Sequence, residues 1–270
     1  MKSKSLLLSV FSLLLMGSTC FGWGKFGHQV VAQIAQDRLS DKTKDKVKTI
    51  LGQSKLNMPA VSVWADKDIF LDKKTAHWHY INLPISENKP DIEKYCAFGD
   101  CIVNQIIKDE AILRGSIPGD KKEALKYLIH FVGDIHQPLH CANDNDRGGN
   151  DKPVTFKGKK MNLHELWDNV ISKDGRGDYK KEAKKFEIRK GKAGLDVEEW
   201  ARVSYEYAKY IIYPAYKPDY LYIEWVKVSP DYKTVFLHDD EYEKAMRPIA
   251  LRQIGLAGWR LAAVLEDCLK

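Results

Sequence analysis

Several long stretches of this chain carry apolar residues three or four positions apart, and that spacing leaves little room for anything but helix. They are FGHQVVAQIAQDRL, AVSVWADKDIFL, KKEALKYLIHFVGDIH, LHELWDNVIS, VEEWARVSYEYAKYIIYPAY and EYEKAMRPIALRQIGLAGWRLAAVLEDCL. Pro59, Pro118 with Gly119, Pro138 and Pro214 punctuate the pattern, where a missing N–H or Cβ interrupts a helix. Only KPVTFKGKKMNL alternates with period two about a glycine turn, which predicts one hairpin. The 270 residues contain no repeat, low-complexity tract or evident linker. The expected architecture is a single all-α domain of about nine to ten helices with one small β-hairpin.

The first residues stand apart from this pattern. Lys2 and Lys4 precede an apolar run from Leu6 to Met16, and small residues follow at Cys20 and Gly22. The run is too short to span a bilayer, so residues 1–22 read as a secretory signal peptide and 23–270 as the functional domain, starting at Trp23. Lipoprotein processing at Cys20 is the competing reading, but GSTC is a poor lipobox. No later segment is apolar for long enough to cross a membrane, so an exported product is expected, periplasmic or secreted, without a membrane partner and monomeric.

Export puts Cys96, Cys101, Cys141 and Cys268 in an oxidising compartment. Cys96 and Cys101 enclose the short loop CAFGDC and are expected to pair, which leaves Cys141 with Cys268 by elimination. Thiolate zinc ligation competes weakly, because no Cys-x-x-Cys is present. The formal charge of +6 falls to +4 once Lys2 and Lys4 depart, with 41 basic residues against 37 acidic. Such a surface suits a polyanion and suits ordinary solvation equally. The lysine runs DKTKDKVK and YKKEAKKFEIRKGK are interleaved with acids and read as exposed helix faces.

The chain owns only 8 histidines, and the stretch HFVGDIHQPLHCANDNDRGGN spends three of them. His130 and Asp134 stand four apart, on one face of a helix that Pro138 ends, and His140 follows just beyond. After the Gly-Gly loop and the hairpin, NLHELWD repeats the arrangement with His164 and Asp168. A lone His-x-x-x-Asp is usually a surface hydrogen bond. Two of them, joined by a loop that lets backbone come close, point to metal, since imidazole and carboxylate suit Zn²⁺. Further candidates are Asp66 in WADKD, costly on an apolar face if unpaired, His28 in WGKFGH, and His77 and His79 in HWHYIN. That last segment reads as extended, with both histidines on one side and Tyr80 on the other. Each alone has a plain structural explanation: a capped aspartate, a helix-entry histidine, a cross-strand histidine.

Taken in order, WGKFGH, WAD, HYIN, HFVGDIHQPLH, GGN and NLHELWD resemble the motifs of the zinc-dependent single-strand-specific nucleases of fungi and plants. The resemblance runs from Trp23 through Asp168, and length and helical tail agree to the C-terminus. It implies three Zn²⁺ ions. The first would be held by Asp66, His79, His130 and Asp134. The second would take the amino group and carbonyl of Trp23, His28 and the other oxygen of Asp134; the third, His140, His164 and Asp168. His77, His136 and His238 match no ligand and are expected to be structural. Asp66 and Asp134 would be the catalytic carboxylates. Tyr80 would be a stacking platform for an unpaired base and Asn82 its hydrogen-bonding partner, with Asn150 of GGN also facing substrate. The implied activity is hydrolysis of single-stranded DNA and RNA to 5′-phosphorylated nucleotides, together with a 3′-nucleotidase.

Two departures from that family stand out. Ile69 occupies the place of a phosphate-assisting Arg of fungal members, with Lys67, Lys73 and Arg147 as stand-ins, and Tyr80 and Asn82 replace a Phe and an Asp. Bacterial zinc phospholipase C shares the three-zinc plan but ends its third site in Glu and lacks HYIN. A zinc-buffering protein would need no open coordination positions.

Overall fold

The computed structural model describes residues 23–170, 177–186, 194–216, 226–228, 235–237 and 239–270. The chain opens with α1 (Gly24–Arg38) and α2 (Asp41–Leu51), the second capped by the Ser40 hydroxyl accepting from Thr43 N at 3.3 Å. Short α3 (Met58–Val61) and α4 (Trp64–Leu71) lead into a 3₁₀ turn over Lys73–His79. Next come α5 (Ile92–Tyr95), α6 (Ile102–Arg114) and α7 (Lys121–Asp134). A second 3₁₀ turn, Pro138–His140, precedes β1 (Pro153–Phe156) and β2 (Lys159–Asn162). The remainder comprises α8 (Leu163–Asn169), α9 (Tyr179–Ala183), α10 (Val197–Tyr207) and α11 (Tyr213–Tyr216). Strands β3 (Val226–Val228) and β4 (Val235–Leu237) precede α12 (Asp239–Cys268).

α7 is the centre. Asp120 caps it by accepting from Lys122 N and Glu123 N, and from Tyr127 to Asp134 every side chain is buried. A helix hydrophobic all round must be packed all round, and α1, α2, α4, α6 and α12 surround it. His130 and Asp134 therefore lie in the core, where polar groups are tolerated only with partners.

The all-α class holds, and the expected hairpin is β1 with β2, antiparallel from Pro153↔Asn162 to Phe156↔Lys159. A second ribbon joins it: β4 runs parallel to β1 and antiparallel to β3, in the order β2-β1-β4-β3. AVSVWADKDIFL is two helices rather than one, broken where Ser62 O accepts from His130 Nδ1 at 2.6 Å. HWHYIN is not an extended strand, because His77 and His79 lie in the first 3₁₀ turn. Two positions apart there, they face differently: His79 is buried and His77 exposed.

Cys96 and Cys101 form a disulfide with Cα atoms 5.2 Å apart. The pairing of Cys141 with Cys268 is overturned: both are free and buried. Elimination knew nothing of placement. Cys141 packs behind the second 3₁₀ turn, its thiol donating to Ile135 O, while Cys268 closes α12 in a groove with Leu113, Arg114 and Lys121. Burial pushes both thiols up.

The backbone between α7 and the second 3₁₀ turn is pinned from two sides. Ser204 of α10 donates to Ile135 O at 2.6 Å, and Gln253 of α12 donates to His136 O at 3.0 Å. His136 is structural in detail: its Nδ1 donates to Val132 O and its Nε2 accepts from Arg260. Burial and that guanidinium push the ring down to about 3, so it stays neutral. His238 lies outside the described residues. No helix among the described residues is long and apolar enough to cross a membrane.

Candidate metal centre

Helix periodicity brings the scattered candidates together around Asp134. Its Oδ1 lies 3.1 Å from His28 Nε2, and its Oδ2 lies 3.0 Å from His130 Nε2 and 2.9 Å from His79 Nδ1. Asp66 Oδ1 approaches His130 Nε2 from the other side, at 3.3 Å. The His28 and His130 rings stack with centroids 4.0 Å apart. Gly133 makes that possible: a Cβ there would sit 2.8 Å from His28 Nδ1.

Beyond His140 lies a second group. His140 Nδ1 donates to His79 O at 2.7 Å, and His164 Nδ1 donates to Gly148 O at 2.7 Å. Each backbone bond occupies Nδ1 and aims Nε2 into the group. The two Nε2 atoms are 3.1 Å apart. Nitrogens that close need a shared proton or a cation between them. Asp168 completes the group, 3.7 Å from His164 Nε2 and held by a 2.8 Å bond from Gln137 Nε2. The same Gln137 accepts from Leu139 N at 2.6 Å, tying the turn that carries His140 to Asp168. Gly148 (φ +64°) brings its loop against that turn, where a Cβ would lie 2.4 Å from Leu139 O. α8 is fixed in turn by Trp167 Nε1, which donates to the buried Tyr242 hydroxyl at 2.9 Å.

The donors fit metal on a second count. Buried Asp66 Oδ1, Asp134 Oδ1, both His28 nitrogens, His79 Nε2 and His130 Nε2 have no aligned hydrogen-bond partner. Several stand within ion-pair reach of each other and are nevertheless misaligned for hydrogen bonding. Buried polar atoms without partners are rare and need a reason; here they converge. Three sets have ligand atoms within 4.8 Å of one another: His28, His130 and Asp134; Asp66, His79 and His130; His140, His164 and Asp168.

Electrostatics point the same way. Burial opposes charge on Asp134, yet His130 and His140 hold its carboxyl well below the usual range. Burial also opposes charge on Asp66, which His130 and His28 keep low. His130 goes the other way: against burial, Asp134 and Asp66 raise it well above an ordinary imidazole. His28 and His79 are lowered, chiefly by burial. His130 Nδ1 already donates to Ser62 O, so the positive charge that Asp134 and Asp66 favour would sit at its Nε2, facing them. The pocket favours positive charge, and two carboxylates with inward-facing imidazoles form a donor set that fits Zn²⁺ or a similar ion.

The other expected site residues are placed less decisively. Tyr80 follows His79 and is half-buried, its ring 5.9 Å from that of His77. Asn82 is exposed. Asn150 spends its side chain locally, Nδ2 donating to Arg147 O at 2.9 Å. Arg147 is engaged by Asp151 in a two-pronged pair. Trp23 is fully buried just ahead of α1. Sequence reasoning missed Ser62, Gly133 and Gln137. Gln137 stands inside HFVGDIHQPLH and an amide there could have been flagged; nothing in the sequence marks Ser62.

Comparison with known proteins agrees with this geometry. Residues 23–270 match the family model described as S1/P1 Nuclease. Endonuclease 2 of Arabidopsis thaliana is 30% identical over 94% of this chain and 93% of its own length. Nuclease S1 of Aspergillus oryzae is 29% identical over 94% of each, and Nuclease P1 of Penicillium citrinum 31% over 67% of this chain and 64% of its own. The match begins at Trp23 and spans every residue that the two histidine groups draw together, so the chain belongs to the S1/P1 nuclease family.

Proposed function

We propose that the protein is an exported zinc-dependent nuclease that cleaves single-stranded DNA and RNA to 5′-phosphorylated nucleotides and removes 3′-phosphates from nucleotides. The observation that carries this reading is the convergence of buried imidazole and carboxylate atoms in three sets, the first two of which share His130 and hold atoms without an aligned hydrogen-bond partner. Its relatives, nucleases and endonucleases, suggest the substrate class.

Asp66, His79, His130 and Asp134 would hold one ion. His28, the second oxygen of Asp134 and the freed amine and carbonyl of Trp23 would hold another. His140, His164 and Asp168 would hold a third. When bound, zinc supplies positive charge that offsets the phosphodiester and lets water ionise near neutral pH.

The chain's own residues do the rest. Asp134 fixes the spacing of the first two positions through its two oxygens. Asp66, with an unpartnered Oδ1, accepts a hydrogen bond from the attacking water and orients it toward phosphorus. The rings of His140 and His164, held by His79 O and Gly148 O, would keep the far group where the departing 3′ oxygen gathers charge. Tyr80 offers a ring face to an unpaired base, and Asn82 both a donor and an acceptor, so base preference is broad.

The test is hydrolysis of single-stranded DNA, RNA and duplex by the mature protein, with and without a chelator. Chelator-sensitive cleavage of the single strands supports the reading. Undiminished cleavage after zinc removal, or no cleavage with zinc bound, would sink it.

A further inference from the structure

Away from the metal centre, two lysines are braced on tryptophans. Lys126 Nζ lies 3.2 Å from the centroid of the Trp64 ring, and Lys108 Nζ lies 5.7 Å from that of Trp78. Both indoles pack edge-on against one phenol, Tyr127, at 5.2 and 5.4 Å. One aromatic ring therefore separates two cation–indole pairs, contributed by α4, α6, α7 and the first 3₁₀ turn.

This arrangement is continuous with the site. Tyr127 is anchored by its hydroxyl donating to Asp68 Oδ2 at 2.5 Å, and its ring stacks on Phe131 at 5.1 Å. Phe131 stands edge-on to the His79 ring at 5.0 Å. Along the chain the spacing is equally tight: Trp78 directly precedes His79, Trp64 is two residues before Asp66, and Lys126 is one helical turn before His130.

Neither lysine is held by a carboxylate at pairing distance, although Asp109 lies near Lys108 in charge terms. Lys44, Lys48, Lys94 and Lys152 each pair with a carboxylate, whereas Lys108 and Lys126 make no ion pair among the described residues. Glu123, Asp68 and Asp120 act on Lys126 only from beyond pairing distance, and Lys122 opposes them. A lysine normally gives up much rotamer freedom to hold one position. Stacking on an indole removes part of that cost before any ligand arrives. Ordered cations beside a phosphodiester-cleaving site suit the sugar-phosphate backbone of a strand longer than the nucleotide being cut.

We propose that Lys108 and Lys126, braced on Trp78 and Trp64, form a phosphate-binding rim that grips single-stranded nucleic acid beyond the metal centre. The inference rests on the nuclease reading for its choice of ligand, and the test separates the two.

The measurement is binding of a labelled, cleavage-resistant phosphorothioate single strand of about 20 nucleotides to the zinc-loaded protein, followed by fluorescence anisotropy across a range of salt. Each phosphate contact to a single strand contributes about 0.7 to the slope of log affinity against log salt. Replacing both lysines by Gln, K108Q with K126Q, should weaken binding about tenfold at low salt and reduce the slope by about 1.4. The double Arg variant, which keeps both charges, should retain the parent slope and thereby exclude misfolding as the cause. Parent-like affinity and slope in the double Gln variant would overturn the rim. If the parent binds with the steep slope and yet fails to cleave an unmodified strand with zinc, the nuclease reading falls and the rim stands.

Discussion

Asp134 concentrates the chemistry in one side chain, because its two oxygens face His28 on one side and His130 and His79 on the other. Replacing it with Asn should cost about 10³-fold in activity, whereas Asp168→Asn should cost about 10²-fold, since only the outlying group is disturbed. Steady-state rates on one oligonucleotide compare them; equal residual activity would contradict the bridging role. Gly133 is a quieter case. Ala in a helix interior ordinarily gains up to about 1 kcal/mol over Gly. Here the added methyl meets His28 Nδ1 at 2.8 Å, and overpacking costs about 1–3 kcal/mol. Overpacking wins: Gly133→Ala should unfold at lower temperature and hold about one metal ion fewer, read by calorimetry and metal analysis. A variant as stable and as metal-rich as the parent would show that His28 can shift freely. Gln137→Met should leave the fold intact and loosen the outlying ion about 10–100-fold, as lost support of a ligand does; competition with a chelator measures it.

Among the helices, α6 carries a pH-sensitive defect. Asp109 is buried with Oδ2 unpartnered, and burial pushes its carboxyl up to about 8. Its folded value thus exceeds its unfolded one. The stability it contributes is fully present below about pH 4 and is lost as pH rises toward and through about 8. Asp109→Asn should accordingly flatten the pH dependence and stabilise the protein above pH 8 by a few kcal/mol, on the order expected for a buried unpaired acid. Denaturant midpoints at pH 5 and pH 9 check this, and an unchanged difference between them would refute it. Elements also show why sequence reading succeeds and fails. Helix spacing is local, so both His-x-x-x-Asp pairs and the β1–β2 hairpin could be read directly. Non-local features could not. β4 pairs with β1 across about 80 residues of chain. Ser62 breaks a helix pattern because a ring from α7 needs its carbonyl. HWHYIN lacks any signal distinguishing a 3₁₀ turn from a strand.

For the molecule as a whole, the elimination argument for Cys141 and Cys268 shows what composition cannot deliver, since an even count says nothing of which thiols meet. The proposed N-terminal processing is of another kind, because it would make export part of the chemistry. If cleavage after Gly22 frees the Trp23 amine, a form carrying one extra residue before Trp23 should fold normally and bind about one zinc ion fewer, because an amide nitrogen is a poor ligand. It should lose most of its hydrolytic rate. An extended form with full zinc and full rate would remove Trp23 from the metal set.

The most direct measurement is the metal content of the mature protein, by mass spectrometry, taken alongside its cleavage of single-stranded DNA as zinc is withdrawn and returned. About three zinc ions per chain are expected, with activity lost to a chelator and recovered on zinc addition. Full cleavage by a chain stripped of metal, or a chain that binds no zinc at neutral pH, would contradict the assignment of these histidine and aspartate groups as its catalytic centre.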